Sequence, residues 1–239
     1  NCYYQDSRKI LFRALKKFPK NPHVLFSLGY SYDEERNFAK AIEYYLEVQK
    51  IDTFAYGLHN NLGYIYWSLD KKNLAKAEME YAIEIQYHPL NPLPYANRAL
   101  IYRYRGDIKK ALEDYFKATE VDPHDLERLF TAARYSQQNE ISQKKGISLI
   151  NKALKISPNS WRAWEIKAGF YYNEKKYKKA ESAYLKSLKL APRSITFYEL
   201  SWTYSKMKMT DLAKEAYYKA KAVKDPNCDD SCFEYHARK

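Results

Sequence analysis

The sequence predicts an all-α protein built from repeated pairs of helices, and three observations support this prediction. Only six glycines occur among the 239 residues, whereas proteins made of β-sheets use glycine in many tight turns. Proline recurs at a nearly constant interval, and small residues recur at a similar interval in a separate series. Self-similarity with a period of about 20–50 residues is the signature of a repeat architecture.

The prolines mark the ends of the repeated units. The spacing is 34, 35, 34 and 34 residues in the series Pro89, Pro123, Pro158, Pro192 and Pro226. Thr53 and Pro19 continue this series towards the N-terminus. Because proline lacks an N–H donor and biases the preceding residue away from helical geometry, it ends helices. The interval therefore predicts a unit of two helices and two turns.

The small residues lie in the second helix of each unit. They are Ala41, Ala77, Ala111, Gly146, Ala180 and Ala213. Four positions later stands a bulky residue, in the order Tyr45, Tyr81, Tyr115, Ile150, Tyr184 and Tyr217. Residues i and i+4 share one helical face, so the small residue permits a close approach of the neighbouring helix. The first helices show a similar order, with Gly29 before Tyr32 and Gly63 before Tyr66.

These residues resemble the tetratricopeptide repeat, whose pattern is W-x2-L-G-x2-Y, then A-x3-F, then P. The resemblance extends from about Ser7 to Pro226. It implies a right-handed superhelical solenoid of five to six antiparallel helix pairs, preceded by an N-terminal half repeat. We therefore expect a solenoid over residues 1–226 and a capping segment or tail over residues 227–239.

Repeat two departs from the family pattern in two ways. Its small residues Gly63 and Ala77 are two positions further apart than Gly29 and Ala41 of repeat one, which predicts a longer internal turn. In addition, Glu84 stands where the second helix usually has a small residue.

Repeat four is the weakest match, because Gly146 and Ile150 replace the usual Ala and Tyr. Its first helix can be aligned on Ala132 and Tyr135, or alternatively on Arg134 and Gln137. We favour Ala132 with Tyr135, since this alignment keeps an aromatic ring between the helices.

In this family the first helices line a concave surface, so the resemblance implies which side chains face a partner. The predicted partner-binding residues are Phe26, Tyr30, Asn60, Asn61, Tyr64, Trp67, Asn97, Arg103, Tyr104, Arg162, Tyr172, Tyr198 and Trp202. Asp33 and Glu165 fall on the same faces. Aromatic rings give a large contact area at small entropy cost, and Asn can satisfy both the N–H and the C=O of an extended peptide.

Two further interpretations concern this surface. Several of the rings can instead pack between neighbouring repeats, since the chain has 25 tyrosines. One branch of the family clamps the C-terminal carboxylate of chaperones with Lys and Asn. We expect that clamp to be absent, because Phe26 and Tyr30 occupy the positions where the first repeat would need those residues.

Basic residues cluster at the turns inside the repeats, in a chain whose net charge is +12. This predicted basic edge consists of Lys71, Lys72, Lys109, Lys110, Lys175, Lys176, Lys178 and Lys179. A solvated edge is the simpler interpretation, because Lys is common at the start of the second helix in this family. The alternative is contact with an anionic partner or a membrane face.

The sequence favours a non-catalytic scaffold that binds a peptide segment or helix of another protein, and we expect the two proteins to belong to one multiprotein complex. No Ser/His/Asp group or phosphate-binding loop occurs, and we expect no enzyme activity, cofactor or metal. On a helix Cys228 and His236 would lie about 12 Å apart, too far for one zinc ion. Nucleic acid is an alternative partner. Such binding needs aromatic rings that stack on bases next to cations that contact the backbone, whereas in this sequence the rings of the first helices and the cations of the turns are segregated.

A membrane-tethered lipoprotein that assembles a bacterial envelope complex is another alternative. The chain has neither an initiator Met nor a signal peptide, so we expect a processed form or a segment of a longer protein. Cys2 would then be the lipid-modified residue, and the protein would be periplasmic and membrane-associated rather than cytoplasmic. An arbitrary chain start with an inert thiol is the simpler interpretation. Whether Cys228 and Cys232 are bonded stays open.

Overall fold

The computed structural model describes the backbone of residues 2–223 and the side chains of residues 4–223. These residues form thirteen α-helices and no strand, which confirms the all-α prediction. The helices are α1 (Cys2–Lys17), α2 (Pro22–Glu34), α3 (Phe38–Ile51), α4 (Leu58–Leu69), α5 (Leu74–Tyr87), α6 (Pro92–Tyr104), α7 (Ile108–Val121), α8 (Leu126–Gln138), α9 (Gln143–Ile156), α10 (Trp161–Asn173), α11 (Tyr177–Leu190), α12 (Ser194–Lys206) and α13 (Thr210–Ala222).

Helices α2 to α13 form six consecutive pairs, each of a first and a second helix, and α1 precedes them as a half repeat. The chain divides into two compact units, Asn1–Asp122 and Pro123–Lys239. Unit 1 contains α1 to α7, and unit 2 contains α8 to α13. The expected boundary at residue 226, the segment 227–239 and the residues Cys228, Cys232 and His236 lie outside the described residues and stay predictions.

Most first helices begin at a short polar side chain. The Oδ1 atom of Asn21 accepts hydrogen bonds from the backbone N–H groups of His23 and Val24. Asn91, Asp125 and Ser160 accept equivalent bonds at the starts of α6, α8 and α10. These caps satisfy backbone donors that have no partner inside the helix. These turn residues thus fix where four of the six first helices begin.

Helices α4 and α12 have no such side-chain cap, and α4 is instead capped by a side chain of the following helix. It begins after Gly57, which adopts a positive φ of 79° and has no side chain to act as a cap. The fully buried carboxylate of Glu84 accepts hydrogen bonds from the backbone N–H groups of Gly57 (2.8 Å) and Asn60 (3.3 Å). Its Oε1 atom also accepts a bond of 3.0 Å from Nδ2 of Asn91. Glu84 therefore joins the starts of two first helices.

Tight packing inside two repeats requires glycine. A Cβ atom on Gly29 would lie 2.7 Å from the ring of Tyr45, and one on Gly63 would lie 2.7 Å from the ring of Tyr81. Both rings are buried. The glycines therefore let a tyrosine of the second helix pack directly against the backbone of the first.

The longer internal turn predicted for repeat two is present. A short 3₁₀ helix, Lys71–Asn73, lies between α4 and α5. Asp70 precedes this helix and accepts a hydrogen bond of 3.2 Å from the backbone N–H of Lys72. The two additional residues are thus accommodated in an ordered turn.

The alignment favoured for repeat four is wrong. Helix α8 begins at Leu126, which places Ala133 and Ser136, both buried, at the positions of Gly29 and Tyr32 in repeat one. No aromatic ring is needed there, because Phe170 of α10 fills the space. A Cβ atom on Gly146 would lie 2.5 Å from the ring of Phe170 and 2.9 Å from Oγ of Ser136.

Candidate partner-binding surface

The predicted asparagines of unit 1 form a chain of side-chain hydrogen bonds across three helices. Nδ2 of Asn97 donates to Oδ1 of Asn60 at 3.0 Å, and Nδ2 of Asn60 donates to Oδ1 of Asn61 at 3.2 Å. Nδ2 of Asn61 donates to the hydroxyl of Tyr45 at 3.0 Å. An amide group has two N–H donors and an acceptor oxygen with two lone pairs. Each amide is thus held in one orientation and retains some hydrogen-bonding capacity.

Three tyrosine rings stand exposed on the first helices of unit 1. Tyr30 of α2, Tyr64 of α4 and Tyr104 of α6 are 47%, 43% and 51% exposed. The ring of Trp67 contacts that of Tyr104 edge-to-face, with centroids 6.0 Å apart. We call this set the amide–aromatic face; its residues are Tyr30, Asn60, Asn61, Tyr64, Trp67, Asn97 and Tyr104.

One lysine of the predicted basic edge reaches this face. Nζ of Lys71 lies 5.2 Å from the centroid of the Tyr104 ring, and a hydrogen bond to Tyr104 raises the pKa of the lysine. The expected segregation of rings and cations is therefore wrong at this position. The longer turn of repeat two explains the contact, because Lys71 lies in its 3₁₀ helix.

The remaining predicted residues of unit 1 differ in exposure. Phe26 is half-buried, and its ring packs against that of Tyr45 with centroids 5.3 Å apart. Asn60 is buried. Arg103 is exposed near the end of α6. Of these three side chains, Arg103 is therefore the most accessible.

A buried carboxylate lies on α2 beside the amide–aromatic face. Asp33 is 9% exposed, and its buried Oδ1 atom has no hydrogen-bond partner among the described residues. Burial and, to a smaller degree, the negative charge of Glu34 raise the pKa of Asp33 to about 6. Glu34 itself accepts a hydrogen bond of 3.0 Å from the hydroxyl of Tyr4. Two adjacent carboxylates thus differ, since only Glu34 has a partner.

In unit 2, the predicted residues mostly make contacts within the protein. Arg162 forms an ion pair of 2.5 Å with Glu127 and lies over the ring of Phe130, 4.9 Å from its centroid. Tyr172 is half-buried and packs edge-to-face against Tyr177. Trp202 is also half-buried.

The prediction that Tyr198 contacts a partner is wrong. This residue is buried, and its ring packs edge-to-face against Tyr217 of α13, with centroids 5.6 Å apart. It therefore stabilises the sixth helix pair and is not exposed to a partner. The sequence pattern identified its helix correctly but not the side chain that covers it.

The first helices of unit 2 instead share a buried polar network. Glu165 of α10 accepts hydrogen bonds of 2.5 Å from Arg134 of α8 and from the hydroxyl of Thr196 of α12. Glu199 of α12 also belongs to this network. Burial, and then the negative charge of Glu165, raise its pKa to about 8. Of these residues the sequence analysis placed only Glu165 on this face; the others have no recognisable spacing, because the interaction joins three different repeats.

The lysines of the predicted basic edge are exposed. Two form ion pairs with nearby acidic residues: Lys110 with Asp107 at 3.4 Å, and Lys176 with Glu174 at 2.7 Å. Lys110 also lies 5.5 Å from the ring centroid of Tyr102. Exposed pairs of this kind contribute about 0–1 kcal/mol. The contact of this edge with an anionic partner stays a prediction.

Residues 4–223 contain no group of three or more His, Cys, Asp or Glu side chains able to hold a metal ion. None of the described helices is long and apolar enough to cross a bilayer. Cys2 is the first residue of α1, but its side chain lies outside the description, so its lipidation stays a prediction.

Family models of the tetratricopeptide repeat match residues 4–56, 56–88, 92–125, 162–194 and 196–225. The chain belongs to the tetratricopeptide repeat family. This fold generally serves as a non-catalytic scaffold for protein interactions, and the helix pairs described above are its repeats.

Similar curated proteins are much longer than this chain. It is 24% identical over 209 residues to the mouse protein O-mannosyl-transferase TMTC3, which covers 87% of the chain and 20% of that protein. It is 30% identical over 123 residues to the bovine BBSome complex member BBS4, covering 52% of the chain and 23% of that protein. The chain thus spans about a fifth of the length of these relatives.

Solved structures show the same fold at low sequence identity. A tetratricopeptide repeat protein from Parabacteroides merdae superimposes with a TM-score of 0.67 at 19% identity, covering 86% of this chain and 80% of that one. YrrB gives 0.64 at 15% identity, with coverages of 78% and 94%. Pseudomonas aeruginosa pilF gives 0.63 at 16% identity, with coverages of 91% and 97%.

Proposed function

We propose that this tetratricopeptide repeat protein is a scaffold that holds a peptide segment or helix of a partner protein on the amide–aromatic face of unit 1. The observation that carries the proposal is the hydrogen-bonded series Asn97, Asn60 and Asn61 beside the exposed rings of Tyr64 and Tyr104. Peptide backbone groups need donors and acceptors, and apolar side chains need surfaces that lose water on contact.

The preorganised geometry of this face favours binding. Hydrogen bonds within the protein already orient the amides, so ordering them on binding costs little further entropy. Tyrosine rings have few rotatable bonds and combine an apolar surface with a polar hydroxyl. These properties support a face that contacts both the backbone and the side chains of a partner.

Related proteins support the kind of partner. YrrB is described as a tetratricopeptide repeat protein with an unusual peptide-binding site, and the bovine relative BBS4 is a member of the BBSome complex. Both descriptions fit a protein partner for this chain, within a larger assembly. The transferase relative shares only a fifth of its length with the chain, and we carry no activity over from it.

The proposal is tested by affinity capture from the source cell with matched variants. Because Trp67 packs against buried residues of α5 and α6, we choose the three exposed rings and change Tyr30, Tyr64 and Tyr104 together to Ala. The control changes Leu46, Met79 and Glu113, exposed residues on the second helices of unit 1, to Ala. Partner capture should be lost in the first variant and kept in the second, with equal helicity by circular dichroism. Capture unaffected by the ring variant would refute the proposal.

A further inference from the structure

The strongest unexplained group in the described residues is Asp33. Its Oδ1 atom is buried and has no hydrogen-bond partner there. Transfer of an ionised carboxylate from water is costly unless a cation or several donors compensate it. A buried, uncompensated carboxylate on a surface that otherwise fits a ligand therefore points to a group supplied by that ligand.

Basic residues in the described part of the chain do not supply this compensation. Arg8, which reaches α2, forms an ion pair of 2.8 Å with Glu35 and donates to the hydroxyl of Ser31 at 3.1 Å. The described residues contain no ion pair with Asp33, although the chain has 41 Lys and Arg against 29 Asp and Glu. The surplus of cations makes the absence of a partner for this carboxylate the more informative.

Tyrosine residues of three helices interact electrostatically with Asp33. Its negative charge contributes to the raised pKa values of Tyr30 on α2, Tyr45 on α3 and Tyr81 on α5. The charge of Tyr64 acts on Tyr81 as well. Burial is the largest cause for Tyr45 and Tyr81, whereas a hydrogen bond to Glu34 is the largest for Tyr30. The carboxylate thus lies among aromatic groups on the α2 side of the amide–aromatic face.

We propose that Asp33 binds the cationic head group of a Lys or Arg side chain in the partner peptide. The exposed rings of Tyr30 and Tyr64 provide apolar surface for the aliphatic stem of that side chain, and a cation is attracted to the face of an aromatic ring. This inference rests on the proposed function, since it names the chemistry of the partner at one position of the same face.

The test uses synthetic peptides of the form acetyl-Gly-Phe-Xaa-Phe-Gly-amide. Xaa is Lys, Arg or norleucine, which resembles Lys without its charge. We expect the wild type to bind the Lys or Arg peptide at least about tenfold more tightly than the norleucine peptide, a difference of about 1.4 kcal/mol. Asp33→Asn should remove this preference without weakening norleucine binding. Glu43→Gln, an exposed charge change on α3, should retain it.

The outcomes separate this inference from the proposed function. Equal binding of all three peptides, lost when Tyr30, Tyr64 and Tyr104 are changed to Ala, would leave the proposed function standing and overturn the role of Asp33. If no peptide binds, the carboxyl ¹³C signal of Asp33 is titrated with methylguanidinium, with tetramethylammonium as the control. A pKa lowered only by methylguanidinium supports the cation site independently of the peptide face. An unchanged pKa overturns it.

Discussion

The carboxylate of Glu84 on α5 accepts a hydrogen bond of 2.8 Å from the backbone N–H of Gly57, at the start of α4. The same carboxylate accepts bonds from the backbone of Asn60 and from the side chain of Asn91. A negative charge at a helix N-terminus is favourable, because unpaired N–H groups and the helix dipole both point towards it. One buried side chain therefore positions the helix that carries four residues of the amide–aromatic face.

Glu84→Gln should destabilise the protein although it keeps the shape of the side chain. The amide loses the negative charge and brings an NH₂ group towards donors, so we expect a loss of about 2 kcal/mol in the free energy of unfolding. Ser187→Ala is the matched control, since Ser187 holds the equivalent position in repeat five and donates one bond of 2.9 Å to the carbonyl oxygen of Trp161. The Ser187→Ala change should lower the free energy of unfolding by about 1 kcal/mol. Urea unfolding measures both, and equal losses would contradict the role of the charge.

His59 should make stability depend on pH. Its Nδ1 atom lies 2.6 Å from Glu80, and its Nε2 atom lies 2.8 Å from the carbonyl oxygen of Thr53. Burial alone would lower the pKa of this histidine, but the bonds to Glu80 and Thr53 outweigh it, so the pKa is raised. The resulting stabilisation is complete below the unfolded pKa of about 6.5 and is lost as pH rises through the higher folded pKa.

The measurement compares the wild type with His59→Gln by urea unfolding between pH 5.5 and 9. We expect the wild type to lose its advantage progressively as pH rises above about 6.5. Because the other titrating groups are common to both proteins, the difference isolates His59. If the difference in unfolding free energy between the two proteins stays constant over this range, the two ring nitrogens of His59 are not both held as donors.

Glu199 of unit 2 should give the free energy of unfolding a second dependence on pH. Its folded pKa of about 8 exceeds the ordinary glutamate value of 4.5 because burial and the charge of Glu165 oppose ionisation. Arg134 and Tyr184 also face this carboxyl and favour its charged form. Its stabilising contribution is complete below about 4.5 and is lost as pH rises through 8. Glu199→Gln does not titrate and should gain stability relative to wild type between pH 4.5 and 8. A pH-independent difference in unfolding free energy would exclude this interpretation.

Gly63→Ala should destabilise the protein, although alanine is the better helix former. The added methyl group would lie 2.7 Å from the ring of Tyr81, and overpacking of this kind costs about 1–3 kcal/mol. The better helix propensity of alanine offsets about 1 kcal/mol of this cost, so we expect a net loss of up to about 2 kcal/mol in the free energy of unfolding, measured by thermal or urea unfolding. A gain in stability would mean that the Tyr81 ring moves aside freely.

The repeat architecture was predictable from the sequence because each helix pair uses similar residues at similar spacing. The longer turn of repeat two was predictable as well, since two additional residues have to be placed. The role of Glu84 was not. Its position in the pattern marked it as unusual, but its partners Gly57 and Asn91 belong to other segments, and the pattern contains no information on such contacts.

The binding surface was predictable in part. The register placed Tyr30, Tyr64 and Tyr104 on helices where they are exposed. It failed at Tyr198, because burial there depends on the position of Tyr217 in the next helix. In repeat four it failed because the ring that fills the interface, Phe170, comes from the following repeat rather than from α8. Local spacing predicts a helix face, whereas neighbouring repeats decide which side chains stay accessible.

The central claim is that the amide–aromatic face holds a peptide of a partner protein, and site-specific photo-crosslinking tests it most directly. p-Benzoylphenylalanine is placed at Tyr64 on this face or at Met79, an exposed residue on the second helix of the same repeat. After irradiation in a lysate of the source cell, mass spectrometry identifies the peptides attached at each position. We predict one recurrent partner peptide at position 64, lost when Tyr30 and Tyr104 are changed to Ala, and none at position 79. The same adducts at both positions, or adducts at position 79 alone, would contradict the account.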